Sequence, residues 1–487
     1  MSPVSYLKNV FKTKKAEIAL FSLIVLYIIV ISRICILRFL SLHSHYYDLG
    51  IMNQTIYNTA KGRFLELTNP HLLTNTSRLA IHFDPLIAAF APFYSFHQTP
   101  IVLLIGQTLI LALGSIAVFA IAQNVIKSKW ASLLMATLYL LYYPMQNTNF
   151  FDFHVVTIAT TGLLFMYLFL VIKPLKNATL NLGLGICFFL LTLLTKENVA
   201  LTTLFFGGYL YLKQKDKRVA LGVIITSLIV FPVVTFGIIP HFNQGAALGL
   251  KYFDFNPLRM ASTVFTGEKL KYIVDILFPV SFLSLLSPLQ LLIAFPEFCI
   301  NVLSTDKNMS TLYFQYSALI TPFVFISATY GLSTVIHYFR KRSQERLLYF
   351  LLAAIFSIGI VFNWNKGLLD ESHFSVNRNQ LRFIEKWRSK VTDDSIVVST
   401  SGSLAPFFTE RRYFIDFFYD PSYKLTGKTK EELLSQIGKY QKAEYVLLYQ
   451  EDINQSDPLC KVYVNHLLTN ANYTLVDKAE GISVYKR

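Results

Sequence analysis

The sequence predicts an α-helical polytopic membrane protein of about eleven spans, with a small C-terminal α/β domain outside the membrane. Three observations predict this. Of the 487 residues 53% are hydrophobic and only 15% charged, whereas a soluble domain carries about 25% charge. So large and charge-poor a chain cannot cover its surface in water, which also excludes disordered, collagen-like and coiled-coil classes. Apolar runs of spanning length recur from Ile18 to residue 364, and beyond about residue 366 the charge rises and the pattern changes.

The first run, Ile18–Leu40, is too long for a signal-peptide core and lacks a small-residue cleavage site, so it reads as a retained helix. Later runs fall near 100–125, 130–143, 155–172, 178–194, 198–212, 219–239, 272–286, 288–304, 313–336 and 347–364, with a hairpin at Ser287–Pro288. Basic residues fix the orientation. Lys8, Lys12, Lys14 and Lys15, then Lys127 and Lys129, Lys173 and Lys176, Lys213 to Arg218, and Arg340 to Arg346 lie in short segments on one side. The long loop 41–98 on the other side holds only Lys61, Arg63 and Arg78. The positive-inside rule then puts the N-terminus in the cytoplasm of a plasma-membrane protein and the C-terminal part outside. The net charge of +15 reflects these inner loops facing anionic lipid. No dense basic patch with interleaved aromatics lies outside the spans, so no nucleic acid is expected as a partner. The cysteines Cys35, Cys187, Cys299 and Cys460 are far apart and offer no metal or disulfide spacing.

Residues 1–365 therefore form the membrane domain, with outer loops 41–98 and 144–154, and residues 366–487 a soluble α/β unit. In that unit Ser395–Ser399, Tyr445–Tyr449 and Ile482–Tyr485 read as strands, and Gln380–Val391 and Lys430–Gln441 as helices. It has no glycine-rich phosphate loop and no nucleophile elbow, so its expected role is structural or docking.

Polar residues gather in the outer loops. After Asp48, the residues Leu49, Met52, Ile56 and Thr59 fall on one helical face, with Asn53, Gln54 and Asn58 on others, which reads as an amphipathic interfacial helix. Asp48 reads both as the N-cap of that helix and as a catalytic or ligand group. In "HFDP", Asp84 before Pro85 has the form of an N-cap, and His82 reads as an interface hydrogen-bonder or an anion or metal ligand. Asp152 and His154 sit two apart in the second loop, where an extended segment points both the same way, although Asp152 also reads as a cap. Lys196 and Glu197 interrupt an apolar stretch, either as a solvated turn or as a cation for a lipid-linked phosphate with its acidic partner. Glu297 is a further acid at membrane depth, and Tyr313, Gln315 and Tyr316 follow at the head of the next span, where an aromatic belt accounts for the tyrosines.

The segments "YYDLGIMNQTIYNTAKGRF", "HFDPLIAAFAPFY", "DFH" and "TKEN" resemble a large uncharacterised family of bacterial and archaeal predicted membrane proteins. That family resembles a distant branch of the GT-C superfamily, which includes oligosaccharyltransferases, protein mannosyltransferases and the lipid A aminoarabinose transferase. The resemblance implies a GT-C-like membrane domain and transfer of a sugar from a polyprenyl-phosphate-linked donor to an extracytoplasmic glycan, lipid or protein acceptor. It implies Asp48 as general base or metal ligand, with Tyr47, Gln54, His82, Asp84, Lys196, Glu197 and Gln315 around the substrates. It further implies Asp152 and His154 at the place of a metal-binding acidic pair, with Mg or Mn as the candidate cation, although the histidine departs from the family's all-acidic pattern. Membrane lipids are the remaining partners. Two other classes stand beside this one: a transporter or flippase whose path is lined by Lys196, Glu197 and Glu297, and a non-catalytic scaffold for envelope assembly.

Overall fold

The structure is a computed structural model that describes residues 14–69, 74–243, 263–366, 374–418, 430–434, 436–453 and 457–487. The basic residues Lys8 and Lys12 and part of the outer loop 41–98 lie outside the described residues. Among those described, five helices are long and apolar enough to cross a membrane: Lys15–Leu40, Ile101–Ile126, Val155–Ile172, Arg218–Asn243 and Glu345–Asn365. Shorter apolar helices complete the bundle, including Lys129–Leu141, Ala178–Leu193, Val199–Lys213 and Pro288–Leu303. Helix Thr321–Lys341 packs against Ile101–Ile126 and carries an interior face from Phe323 to Leu332 that is almost wholly buried.

Local chemistry sets the ends of these helices. At two hairpins a lysine takes the left-handed conformation that closes a helix, Lys127 (φ 61°) after Ile126 and Lys173 (φ 55°) after Ile172. A cation there also complements the negative end of the helix dipole. Ser128 and Asn177 then cap the helices that follow, each accepting a backbone N–H with its side chain. The run 272–286, expected as one span, is instead broken. Helix Gly267–Leu277 ends at Pro279, left-handed Ser281 and Phe282 follow, and short turns lead to Pro288. This re-entrant segment packs on Thr321–Lys341 so closely that a Cβ on Gly331 would meet the Leu283 carbonyl at 2.0 Å. Irregular backbone at such depth is tolerated because it is buried in protein.

The C-terminal unit is a five-stranded sheet in the order β4-β3-β5-β7-β6, where β3 is Val398–Thr400, β4 Phe414–Asp416, β5 Tyr445–Tyr449, β6 Thr474–Ala479 and β7 Ile482–Lys486. β3 runs parallel to β4 and β5, while β7 is antiparallel to β5 and β6. β4, β6 and helix Pro458–Leu468 add to the elements expected from sequence. A small ribbon of β1 (Glu66–Thr68) and β2 (Asn75–Ser77) lies in the first loop.

The helix after Asp48, Ile51–Ala60, does not lie on a membrane interface as its pattern suggested. Every residue from Ile51 to Asn58 is buried, because the C-terminal unit covers the polar face. Asn53 donates to the Pro406 carbonyl (3.1 Å) and to Thr409 Oγ1 (3.0 Å), and Tyr46 N–H donates to the Gly402 carbonyl at 3.1 Å. Phe39 stacks on Phe407 with centroids 4.3 Å apart, and Arg63 pairs with Asp394 at 2.9 Å. One continuous apolar core thus runs from the bundle through Phe383, Trp387 and Leu404 into the sheet.

Candidate active site

Asp48 sits inside a π-turn, Tyr46–Gly50, between the first span and the buried helix. Single π-turns are rare and occur often at functional sites. The helix that follows starts after Gly50 with no side-chain cap hydrogen bond, so Asp48 is not the cap that the sequence allowed. Its Oδ1 instead accepts from His154 Nε2 at 3.1 Å, and its side chain remains 28% exposed against 10% for His154. Burial raises the Asp48 pKa, but the His154 hydrogen bond and the charges of His154 and Arg38 outweigh it, and the net shift is downward.

Asp152, two residues before His154, does not cap the following helix either. It takes a left-handed backbone (φ 54°), and its Oδ1 accepts from Ser44 Oγ at 2.5 Å and from the Arg38 guanidinium. A non-glycine residue held there signals strain that the surroundings impose. Burial pushes the Asp152 pKa up despite Arg38, with Asp48 as a second raising influence. The two aspartates therefore share one site with pKa values displaced in opposite directions. Gln107 braces the loop, donating to the Asp152 carbonyl at 2.8 Å and accepting from His154 N–H at 2.9 Å. Asp152 Oδ2 and His154 Nδ1 are buried with no hydrogen-bond partner among the described residues.

Arg38 was missed by sequence reasoning because it lies inside the first apolar run. The signal was present, since an arginine within a span must face the protein interior and find a counter-ion. It is 4% exposed, and its guanidinium also stands 5.3 Å from the Phe151 ring.

The divalent cation that the resemblance implies would stand beside a guanidinium that is already in place. Arg38 and Ser44 already occupy Asp152 Oδ1, and a guanidinium beside the acids supplies the positive charge a metal would bring. Among the described residues no three His, Cys, Asp or Glu side chains converge.

The remaining candidates form a second cluster or stand apart. Asp84 precedes Pro85 but makes no cap hydrogen bond. It accepts from Arg78 Nε at 3.1 and 3.0 Å and from Nη2 at 2.7 Å, with both side chains 5% exposed. Glu197 accepts from His82 Nδ1 (2.9 Å) and from Phe83 N–H (3.1 Å), which ties the first outer loop to the Lys196–Glu197 turn. Burial raises the Glu197 pKa, but His82 and then Lys196 outweigh it and hold the carboxyl well below its usual range. The Lys196 ammonium makes no hydrogen bond to a described residue, although its charge acts on both Glu197 and Glu297. Glu297 accepts from Asn198 Nδ2 at 2.8 Å. Gln54 is fully buried, its amide bound to Thr68 Oγ1 (2.9 Å) and the Arg412 carbonyl (3.0 Å), so it holds the loop to the C-terminal unit. Tyr47 packs edge-on against Tyr46 with centroids 5.3 Å apart, and Gln315 begins a short turn with its Oε1 buried and unpaired.

Comparison with known proteins supports this architecture. The crystal structure of ArnT from Cupriavidus metallidurans bound to undecaprenyl phosphate is similar at a TM-score of 0.54 and 12% identity, over 94% of this chain and 97% of that one. The apo structure of the same protein gives 0.55 and 13%, over 96% and 98%. At these identities the likeness is one of fold alone. No curated protein matches the sequence. A sequence family described as "Predicted membrane protein (DUF2079)" matches residues 38–484, and this chain belongs to that family.

Proposed function

We propose that this protein is an integral-membrane glycosyltransferase that moves a sugar from a polyprenyl-phosphate-linked donor to an acceptor on the extracytoplasmic side. The observation that carries this reading is Asp48: a part-exposed carboxylate, kept ionised in a π-turn and held by His154. A neighbour of the same fold was solved with undecaprenyl phosphate, which supports a lipid phosphate as the donor's handle.

In this scheme Asp48 accepts the proton of the attacking acceptor hydroxyl, and His154 orients it. General-base assistance requires a group within hydrogen-bond reach, and Asp48 is the acid of its cluster that solvent reaches. Displacement of its pKa and that of Asp152 in opposite directions is the pattern of carboxylates with different tasks. Asp152 is the anchor: through Arg38 and Ser44 it ties the end of the first span to the second loop, so Asp48 and His154 meet. Lys196, whose ammonium makes no hydrogen bond to a described residue, is the cation available to a leaving phosphate, where negative charge develops. Lysines in the hairpins at 127–129 and 173–176 favour a topology with Asp48 and the C-terminal unit outside the cell.

The test is transfer of a radiolabelled sugar from a polyprenyl-phosphate donor by purified protein in nanodiscs, comparing wild type with Asp48→Asn. Asparagine matches aspartate in size and can still accept the His154 hydrogen bond, but it cannot take a proton. Label movement that depends on Asp48 is expected, and equal transfer by both proteins would overturn the proposal.

A further inference from the structure

A cavity of about 550 Å³ with a mixed lining opens at the same end of the bundle as Asp48, and none of the roles above uses it. One wall is helix Tyr143–Phe150, which leads into the loop of Asp152 and His154. The opposite wall is helix Gly267–Leu277, and the segment 307–313 closes the third side. The cavity is a direct neighbour of the candidate active site. Tyr313 on its rim has its ring 5.2 Å from that of Phe151, which in turn stacks on the His154 imidazole at 5.8 Å.

Charge restricts the ligand. Lys271 pairs with Asp275, and the other charged wall residues, Glu268 and Lys307, are of opposite sign. An anion such as a phosphate needs uncompensated cations, and this wall has no net excess of them. Shape and polarity restrict it further. Three tyrosine rings alternate with hydroxyl and amide groups, so apolar faces and hydrogen-bonding edges are interleaved as on a sugar ring. The volume lies within the roughly 300–1,000 Å³ of small-ligand sites.

Asn147 supplies the independent sign of a ligand. It is 8% exposed, and its Nδ2 donates to the Leu312 carbonyl at 2.9 Å. Its Oδ1 is buried at the cavity wall with no partner among the described residues. A buried amide oxygen in this position calls for a donor, and a hydroxyl provides one.

We propose that this cavity binds a neutral saccharide, which serves as the acceptor of the sugar transfer; the acceptor role rests on the function proposed above, and the binding does not. The test is saturation-transfer NMR on the full chain in nanodiscs, with methyl β-glucoside, methyl α-mannoside and maltose as probes and inorganic phosphate as competitor. At least one probe should receive saturation from wild type, and phosphate should not displace it. Asn147→Leu should weaken binding by about tenfold, the scale of one lost hydrogen bond in a closed site. Should that variant not fold, Tyr313→Ala, which removes a half-exposed rim ring, is expected to do the same. No saturation of any probe, equal saturation in the cavity variants, or displacement by phosphate would each overturn the inference. Asp48-dependent transfer without saccharide binding would refute the cavity alone. Saccharide binding with transfer that ignores Asp48 would refute the catalytic reading alone.

Discussion

Two clusters at the loop end of the bundle are built from the same parts, an arginine–aspartate pair and a histidine–acid pair. Arg38–Asp152 with His154–Asp48 makes one, and Arg78–Asp84 with His82–Glu197 makes the other. They differ in what remains unsatisfied. In the second, both Asp84 oxygens accept from Arg78, and both Glu197 oxygens accept from His82 and Phe83. In the first, Asp152 Oδ2 and His154 Nδ1 are buried and unpaired, the Asp152 backbone is strained, and Asp48 faces solvent from a π-turn. Buried polar groups are nearly always paired, so a saturated cluster reads as a staple and an unsaturated one as a site. Residue identity alone does not separate the two; hydrogen-bond bookkeeping does.

The comparison is most exposed at Asp48. Asp48→Asn should lower transfer by about 10²–10⁴-fold, the usual scale of general-base assistance, while thermal stability by fluorescence melting stays near wild type. A stable variant with full activity would move Asp48 into the staple class. The mirror experiment is Arg78→Ala, which leaves Asp84 buried without its ion. Loss of one partner of such a pair costs about 3–5 kcal/mol, so this variant should be poorly folded, read as low yield on size-exclusion chromatography. A well-folded Arg78→Ala protein lacking only activity would show that the second cluster is functional after all.

The acidic limb sharpens the contrast further. Glu197 has a depressed pKa, so it contributes stability that is complete above the ordinary carboxylate range and is lost as pH falls through the depressed value. Wild type should therefore keep its melting temperature below the ordinary glutamate pKa of 4.5, whereas Glu197→Gln should have lost that margin already at neutral pH. Melting curves across the acid range decide this. His154→Gln keeps a donor for Asp48 but changes its reach, and a fall in rate of about tenfold with the KM for the donor unchanged is expected of a positioning residue. The smallest expected effect is that of a chelator: with Arg38 beside the acids, EDTA should leave transfer unchanged, and recovery of a lost rate by Mg or Mn would contradict the Arg38 assignment.

Much of the fold was legible because a bilayer imposes a local rule. Nearly every apolar run read from the sequence falls on a helix, and lysines close two of those helices at Lys127 and Lys173. The exception, 272–286, failed because its Pro279 and its left-handed Ser281 and Phe282 are tolerated only by close packing on Gly331. The buried helix at 51–60 failed for a related reason, since its polar face is covered by residues more than three hundred positions away, such as Pro406 and Arg412.

The sequence by itself determined the class of the protein, its spans and their charge bias, the α/β character of the C-terminal unit, and the loops where polar residues gather. Each follows from composition or from periodicity within a short window, where bilayer thickness and strand pleat act on neighbouring residues. Only the tertiary structure decided which of those polar residues work together. Asp48 and His154 are 106 positions apart, and Arg38 and Asp152 are 114 apart. Whether a carboxylate meets a cation that saturates it or a histidine that leaves it open depends on which helix ends the packing brings side by side, and no local pattern encodes that.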